Sequence, residues 1–450
     1  MTPLEALPSA LPEADPQARL PRGFRAAGSS AGIKASGGLD LGLIVVEDGP
    51  AAVAATFTTN RLPAAPVLMD RGHLLSTEPG GAGRFGWCQA MMATSGCANA
   101  ATGSAGLDDQ RRLASALAEA AGTDPAHVLA MSTGLIGTRL PVERIREAIR
   151  TTVSGGLGTD DEAYAAVAEA LRTTDSRAKA ATVELELPGE ADERVPVVVS
   201  GVSKGVGMIH PQMATMLSFV LTDASVDPAT LHALLRPVVA RTWDQISVDG
   251  DQSTNDTVLL VASGASGAAI ESGSESAAAF SAALEAVARS LARQQAGDGE
   301  GATTLITCAV SGAPDAVDAR AVARSVISSS LVKAAIHGGD PNWGRVAGAV
   351  GNAVTAPAEV LAAGGLAEAV ARERAARPVH LEVDRLRIDL QGVPVFAGSP
   401  VEFDAARLRE ALRADEVLIR IDLGMGPEMG EAFGCDLTEA YVIENSEYST

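Results

Sequence analysis

A chain of 450 residues is long enough for about two or three domains, or for two halves that share one large core. Its hydrophobic share of 46%, charged share of 20% and formal charge of −21 describe an apolar, acidic globular protein. That charge opposes nucleic acid and anionic membrane as partners, since both demand a basic face. Cys88, Cys97, Cys308 and Cys435 lie far apart with no C-x-x-C pair, which disfavours a zinc site and offers no disulfide framework. The start of the chain lacks the basic and apolar regions of a signal peptide, and no apolar run reaches membrane-spanning length. The expectation is a soluble, cytoplasmic protein that handles small molecules.

Taken in order, residues 1–20 read as a loose tail. Short apolar runs at 39–46 and 51–57 separated by turns read as strands. The run Gly81-Ala82-Gly83-Arg84-Phe85-Gly86 matches G-x-G-x-x-G, but a loop precedes it and a strand-like stretch, 87–94, follows, so it does not open a helix as a dinucleotide site requires. An amphipathic helix is expected at 107–121 and a strand at 128–131, the latter ending in Ser132-Thr133-Gly134-Leu135-Ile136-Gly137. Helices at 142–152 and 161–174 lead through Thr173-Thr174-Asp175 to strands at 181–187 and 195–202. Past the glycine-bearing stretch from Lys204 to Leu217 come a strand to 222, a helix at 228–246 and the loop 249–256. That loop superficially resembles a calcium loop but has Leu260 where the bidentate glutamate must be. A strand at 257–263, a helix at 276–295, a strand at 303–310 and one long helix at 318–337 follow. The stretch 338–345 reads as a loop, and strands are expected at 379–390 and 416–423. Strands and helices mix without strict β-α-β alternation, so the fold class is α+β, with helices packed around β-sheets.

The stretch that carries chemistry is Lys204-Gly205-Val206-Gly207-Met208-Ile209-His210-Pro211-Gln212-Met213-Ala214-Thr215-Met216-Leu217. Thr215 stands where an irregular, glycine-bearing loop enters an apolar strand. On that local pattern a core threonine at a strand start is the simpler reading. A threonine hydroxyl becomes a nucleophile only with a base beside it. One such base is its own α-amine, freed by a cut just before it, with an ordinary pKa of roughly 7.7–8.0. The chain has no H-E-x-x-H pair and no P-loop, so that kind of metal site and P-loop nucleotide chemistry drop out. Acyl transfer resting on Thr, Lys, Glu and backbone donors is what remains, with no cofactor or metal.

The same stretch resembles the self-cleavage segment of the ornithine acetyltransferase (glutamate N-acetyltransferase) family of arginine biosynthesis. Other motifs resemble that family in the same order: Gly23-Phe24-Arg25-Ala26-Ala27-Gly28, Phe57-Thr58-Thr59-Asn60-Arg61, Ser132-Thr133-Gly134, Thr173-Thr174-Asp175, Ser253-Thr254-Asn255-Asp256-Thr257, Gly299-Glu300-Gly301-Ala302-Thr303, Leu331-Val332-Lys333, Asp340-Pro341-Asn342-Trp343-Gly344-Arg345 and the tail from Cys435 to Thr450. The resemblance runs from about Pro21 to the last residue.

It implies a precursor cut between Ala214 and Thr215, giving an α chain (21–214 beyond the tail) and a β chain (215–450) that pair as α2β2. It further implies an α/β sandwich of the self-processing type. Carried over residue by residue, Thr215 is the nucleophile, Thr133 and Gly134 form the oxyanion hole, and Thr173, Lys204, Thr215, Glu300, Asn445 and Thr450 contact substrate. The implied reaction moves acetyl from N2-acetyl-L-ornithine to L-glutamate through an acetyl-threonine ester, a ping-pong cycle. Lys204 and Glu300 are the natural pair for reading groups of opposite charge. No coenzyme A motif is legible, which leaves acetyl-CoA open as a second donor. Three positions depart from the family pattern: Thr94, Cys97 and Thr304, the last replacing a lysine. Cys97 is read as a buried small residue. An amidase or aminopeptidase on a related self-processing scaffold is the alternative reading, and a catalytically silent binding protein a third.

Overall fold

A computed structural model describes residues 11–189, 193–210 and 216–446. Among these, strands β1 (Phe24–Ser29), β2 (Leu41–Val46), β5 (Ala90–Cys97) and β6 (Val128–Leu135) form one sheet in the order β1-β2-β5-β6. Strands β3 (Ala51–Phe57), β4 (Phe85–Cys88), β7 (Lys179–Pro188), β8 (Arg194–Lys204), β9 (Leu217–Thr222) and β11 (Thr257–Ala262) form a second, ordered β4-β3-β11-β9-β8-β7. The third, ordered β10-β16-β12-β15-β13-β14, takes β10 (Ile246–Ser247), β12 (Leu305–Ala313), β13 (Arg387–Leu390), β14 (Val393–Ala397), β15 (Glu416–Asp422) and β16 (Glu428–Cys435).

The first two sheets stack face to face, and strand periodicity shows how. In β9, Leu217, Phe219 and Leu221 pack with Ile44, Met91 and Leu129 of the neighbouring sheet, whereas Val220 joins the opposite face. In β11, Leu259 and Val261 take the inner face and Val258 and Leu260 the outer. Both strands are buried on both sides, so they are continuous apolar runs rather than alternating ones. The helix Asp161–Leu171 inserts Tyr164 and Val167 into the same inter-sheet layer. Helices Gly103–Ala121 and Val142–Gly155 cover the outer face of the four-stranded sheet through Leu113, Leu117, Ile145 and Ile149. Helices Pro228–Arg241 and Glu275–Gly297 cover the outer face of the second. Phe433 and Cys435 of β16 belong to that last core, so Glu275–Gly297 lies between the second and third sheets. The chain is an α+β sandwich, as expected.

Several elements differ from the sequence reading. A helix at Ala65–Thr77 went unseen, because its Pro66 start reads as a turn and a buried acid, Asp70, interrupts its apolar face. The long helix expected at 318–337 is two, Ala316–Ile327 and Ser330–His337, since Ser329 caps the second by accepting from Val332 N–H. The helix from Pro228 ends at Arg241, after which a short turn carries the chain into β10. The stretch 338–345, read as a loop, runs into a helix at Trp343–Gly351, and the expected strand at 379–390 shrinks to β13. Strand β14 is only five residues with Pro394 inside it, and β16 has too many polar and glycine residues to announce itself.

Candidate active site

The stacked sheets bring three chain ends together at one edge of the sandwich. The last residue of β8, Lys204, pairs with Leu217, the first of β9. The carbonyl of Met216 accepts from Thr257 N–H at 2.8 Å, which holds the entry to β9 against β11. From the other sheet, β6 runs out through Thr133 and Gly134 beside Ser95, Gly96 and Cys97 of β5, and the parallel register slips there. Gly134 has φ +122°, and a Cβ on it would lie 2.3 Å from the Gly96 carbonyl carbon, so only glycine fits. Asn255 fixes this end of β6: its Nδ2 donates to Ala98 O at 2.6 Å and to Ser132 O at 2.8 Å.

Lys204 Nζ donates to Thr133 Oγ1 at 3.1 Å. A hydroxyl has one proton to give and two lone pairs. With the ammonium on one lone pair, the Thr133 O–H is left to point elsewhere. Behind Lys204 lies a buried ionic array. Lys179 Nζ donates to Asp175 Oδ1 at 2.7 Å and to Asp298 Oδ2 at 2.6 Å, and both members of the Lys179–Asp175 pair have no exposed side-chain surface. The remaining capacity of Asp175 is taken by Gly205 N–H at 2.9 Å and Thr173 N–H at 3.0 Å. A buried charge is tolerated only when its lone pairs are satisfied in this way. Burial opposes ionisation of Asp175, but the charges of Lys204 and Lys179 with the Lys179 and Gly205 hydrogen bonds hold its pKa well below the ordinary carboxylate range. Burial pushes the Lys204 pKa down, against the opposing pull of Asp175.

Glu300 comes from the loop between helix Glu275–Gly297 and β12. Its N–H donates to Val206 O at 2.9 Å, and its carboxylate accepts from Thr174 Oγ1 and Asn445 Nδ2, each at 2.9 Å. Gly207 leaves room for that carboxylate: a Cβ there would lie 2.2 Å from Glu300 Oε2. Asn445 reaches it from the helix Glu439–Ser446, which can pack onto the loop because Gly301, at φ +66°, has no side chain to strike Tyr441 N.

These groups line one cavity of about 340 Å³, at the lower end of the roughly 300–1,000 Å³ of small-molecule sites. Thr133, Gly134, Thr173, Lys204, Glu300 and Asn445, drawn from positions 133 to 445, all face it, as does Met216. Ala214, Thr215 and Thr450 lie outside the described residues. Sequence reasoning missed Asp175, Thr174 and Asn255 as site residues. All three sit in the quoted motifs, and the available signal was an acid or amide directly after a threonine. Among the departures, Cys97 is buried and exchanges hydrogen bonds with Thr138, and Thr94 is buried. Thr304 is buried with its N–H on Asp436 Oδ1 at 3.0 Å.

Among the described residues no helix is long and apolar enough to cross a membrane. Residues 25–450 match the model of the ArgJ family. A relative from Thermus thermophilus, named arginine biosynthesis bifunctional protein ArgJ, is 43% identical over 436 residues, covering 96% of this chain and 99% of its own length. One of the same name from Deinococcus radiodurans is 40% identical over 439 residues, covering 97% and 99%. A crystal structure of an arginine biosynthesis bifunctional protein ArgJ from Bacillus halodurans is 36% identical and covers 52% of this chain and 99% of that one, with a TM-score of 0.45.

Proposed function

The chain belongs to the ArgJ family, and from that premise we propose that it moves acetyl from N2-acetyl-L-ornithine to L-glutamate through an ester on Thr215, in arginine biosynthesis. The observation that carries the reading is the convergence on one cavity of Thr133, Gly134, Thr173, Lys204, Glu300 and Asn445 with Met216, the residue that follows Thr215.

The cycle begins with self-cleavage. The Thr215 hydroxyl attacks the Ala214 carbonyl, the peptide becomes an ester, and water hydrolyses it to leave a carboxylate on Ala214 and a free amine on Thr215. The products are an α chain ending at Ala214 and a β chain starting at Thr215, which remain together and pair as α2β2 in the cytoplasm. In turnover the Thr215 amine takes the proton from its own hydroxyl as that oxygen attacks the acetyl carbonyl of acetylornithine. The tetrahedral oxyanion is met by the Thr133 O–H, which the Lys204 ammonium leaves free to donate, and by backbone N–H at Gly134. Ornithine departs with the proton, and the α-amine of glutamate then attacks the ester. Lys204 and Glu300 present opposite charges to substrates whose side chains are themselves oppositely charged. Water must be kept off the ester for transfer to outrun hydrolysis.

The word bifunctional in the relatives' names supports a second donor. We assign that role to acetyl-CoA, which would fill the same Thr215 ester. The test measures acetyl exchange between acetylornithine and glutamate, with water as competing acceptor and acetyl-CoA as competing donor. Exchange lost in Thr215→Ala, together with the cut, is the expected result. Exchange that persists in that variant, or hydrolysis of many acylated amino acids with no transfer, would overturn the reading in favour of an amidase or a Thr215-independent enzyme.

A further inference from the structure

A second cavity of about 440 Å³ opens between the helices Ala316–Ile327 and Ala358–Ala363 and the turn that precedes β10. Two arginines one helical turn apart, Arg320 and Arg324, line it. Guanidinium groups in a protein interior are ordinarily matched by acceptors. Here they are not. Arg320 makes no hydrogen bond or ion pair among the described residues, while Arg324 spends Nη1 on Asp244 O at 2.6 Å and leaves Nη2 shut from solvent without an acceptor. Ser328 Oγ, on the same wall, is also buried without a partner.

The surrounding acids do not answer the deficit. Glu285 takes both arms of Arg241, at 2.8 and 2.6 Å. Asp315 is held by Arg374 and Arg377, and Asp318 accepts from Arg377 at 2.8 Å. Asp244 is the acid whose charge acts on both cavity arginines. Burial presses the pKa of both down, that of Arg324 to about 10, and Asp244 offsets this only in part. One carboxylate facing two guanidiniums leaves a single positive charge. One side of the wall is apolar, with Val317, Val354, Val360 and Leu361, while His210, Gln245, Asn352 and Thr355 add polar groups elsewhere on it.

We infer that this cavity binds a small monocarboxylate with an apolar body, its carboxylate on Arg320 and Arg324 and its hydrocarbon against the aliphatic wall. A guanidinium fork matches a carboxylate geometrically, and the single excess charge selects a monoanion over a dianionic phosphate. The site is separate from the acetyl-transfer cavity and stands whether or not that reading does.

The test is calorimetric titration of the full-length protein with hexanoate, hexanamide and inorganic phosphate, repeated on Arg320→Gln, Val354→Asp and Glu300→Gln. Hexanoate is expected to bind once per chain and hexanamide at least about tenfold more weakly, as befits a charge-assisted pair. Arg320→Gln should lose at least about tenfold in hexanoate affinity. Val354 is largely exposed, so Val354→Asp folds and sets a repelling charge in the wall; it decides the matter should Arg320→Gln fold poorly. Glu300→Gln, in the other cavity, should bind hexanoate as the parent does. No saturable binding, binding untouched by Arg320→Gln and Val354→Asp, loss confined to Glu300→Gln, or phosphate binding as tight as hexanoate would each overturn the inference.

Discussion

Replacing Asp175 with asparagine tests whether the buried ionic array governs the site. The carboxylate accepts from Lys179 Nζ at 2.7 Å, Gly205 N–H at 2.9 Å and Thr173 N–H at 3.0 Å. An amide has nearly the same shape, but its NH2 half cannot accept, so at least one of these donors is orphaned. Breaking a buried ion pair from one side costs about 3–5 kcal/mol. Asp298 still holds Lys179 at 2.6 Å, which places the expected loss near the lower end, about 3 kcal/mol. Asp175 has a depressed folded pKa, so its stabilisation is complete above the ordinary carboxylate range and is lost as pH falls through the folded value. The difference in denaturation midpoint between parent and Asp175→Asn should therefore be full at pH 7 and shrink on strong acidification. Lys204 gives a second readout. Its pKa is already lowered by burial, with the Asp175 charge opposing. Asp175→Asn removes that opposing charge and should shift the alkaline limb of kcat/KM for acetylornithine to lower pH. A variant with an unchanged alkaline limb and a stability loss under about 1 kcal/mol would refute the reasoning.

Four further outcomes are expected. Gly134→Ala forces a side chain into φ +122° and against the Gly96 carbonyl; kcat should fall about 10²–10³-fold, as for a lost oxyanion donor, with circular dichroism unchanged. Asn255→Ala takes the amide donor from the Ser132 carbonyl and leaves the Ala98 carbonyl with the Ser132 hydroxyl alone, so thermal denaturation should report a loss of about 1–3 kcal/mol and transfer should weaken with it. Glu300→Gln preserves size and one acceptor but removes the charge, and steady-state kinetics should show KM for an amino-acid substrate raised about 10–100-fold with kcat changed less. Cys97→Ser should leave transfer within about twofold, its buried sulfur being replaced by a group that can still bond Thr138; a large loss would mean the thiol has a role in the reaction.

How far the sequence carried the structure depended on what each residue type could signal. The buried strands β3, β9 and β11 were legible as apolar runs bounded by polar turns, and Gly103–Ala121 and Glu275–Gly297 as amphipathic stretches. Ala65–Thr77 and β16 were not, since one hides an acid on its buried side and the other spends its positions on Gly, Glu and Met. The site residues at 133, 134, 173, 204, 300 and 445 came from ordered motif resemblance, because each alone is an ordinary loop residue. Composition and spacing say nothing of what lies 126 positions away, yet Thr174 and Glu300 meet across that separation. Asp175 shows the limit most clearly. Its place in Thr-Thr-Asp reads as a helix terminus, and only packing reveals that Lys179, Gly205 and Thr173 all close on it.

The central claim, a covalent acetyl group on Thr215, is open to one direct measurement. The purified protein is mixed with acetylornithine without an acceptor, quenched in acid, and the chain that begins at Thr215 is weighed intact and sequenced by fragmentation. The account predicts one added acetyl group on that first residue, discharged when glutamate is added before the quench. An unmodified Thr215 under conditions where acetyl passes from acetylornithine to glutamate, or an acetyl group carried by any other residue, would contradict it.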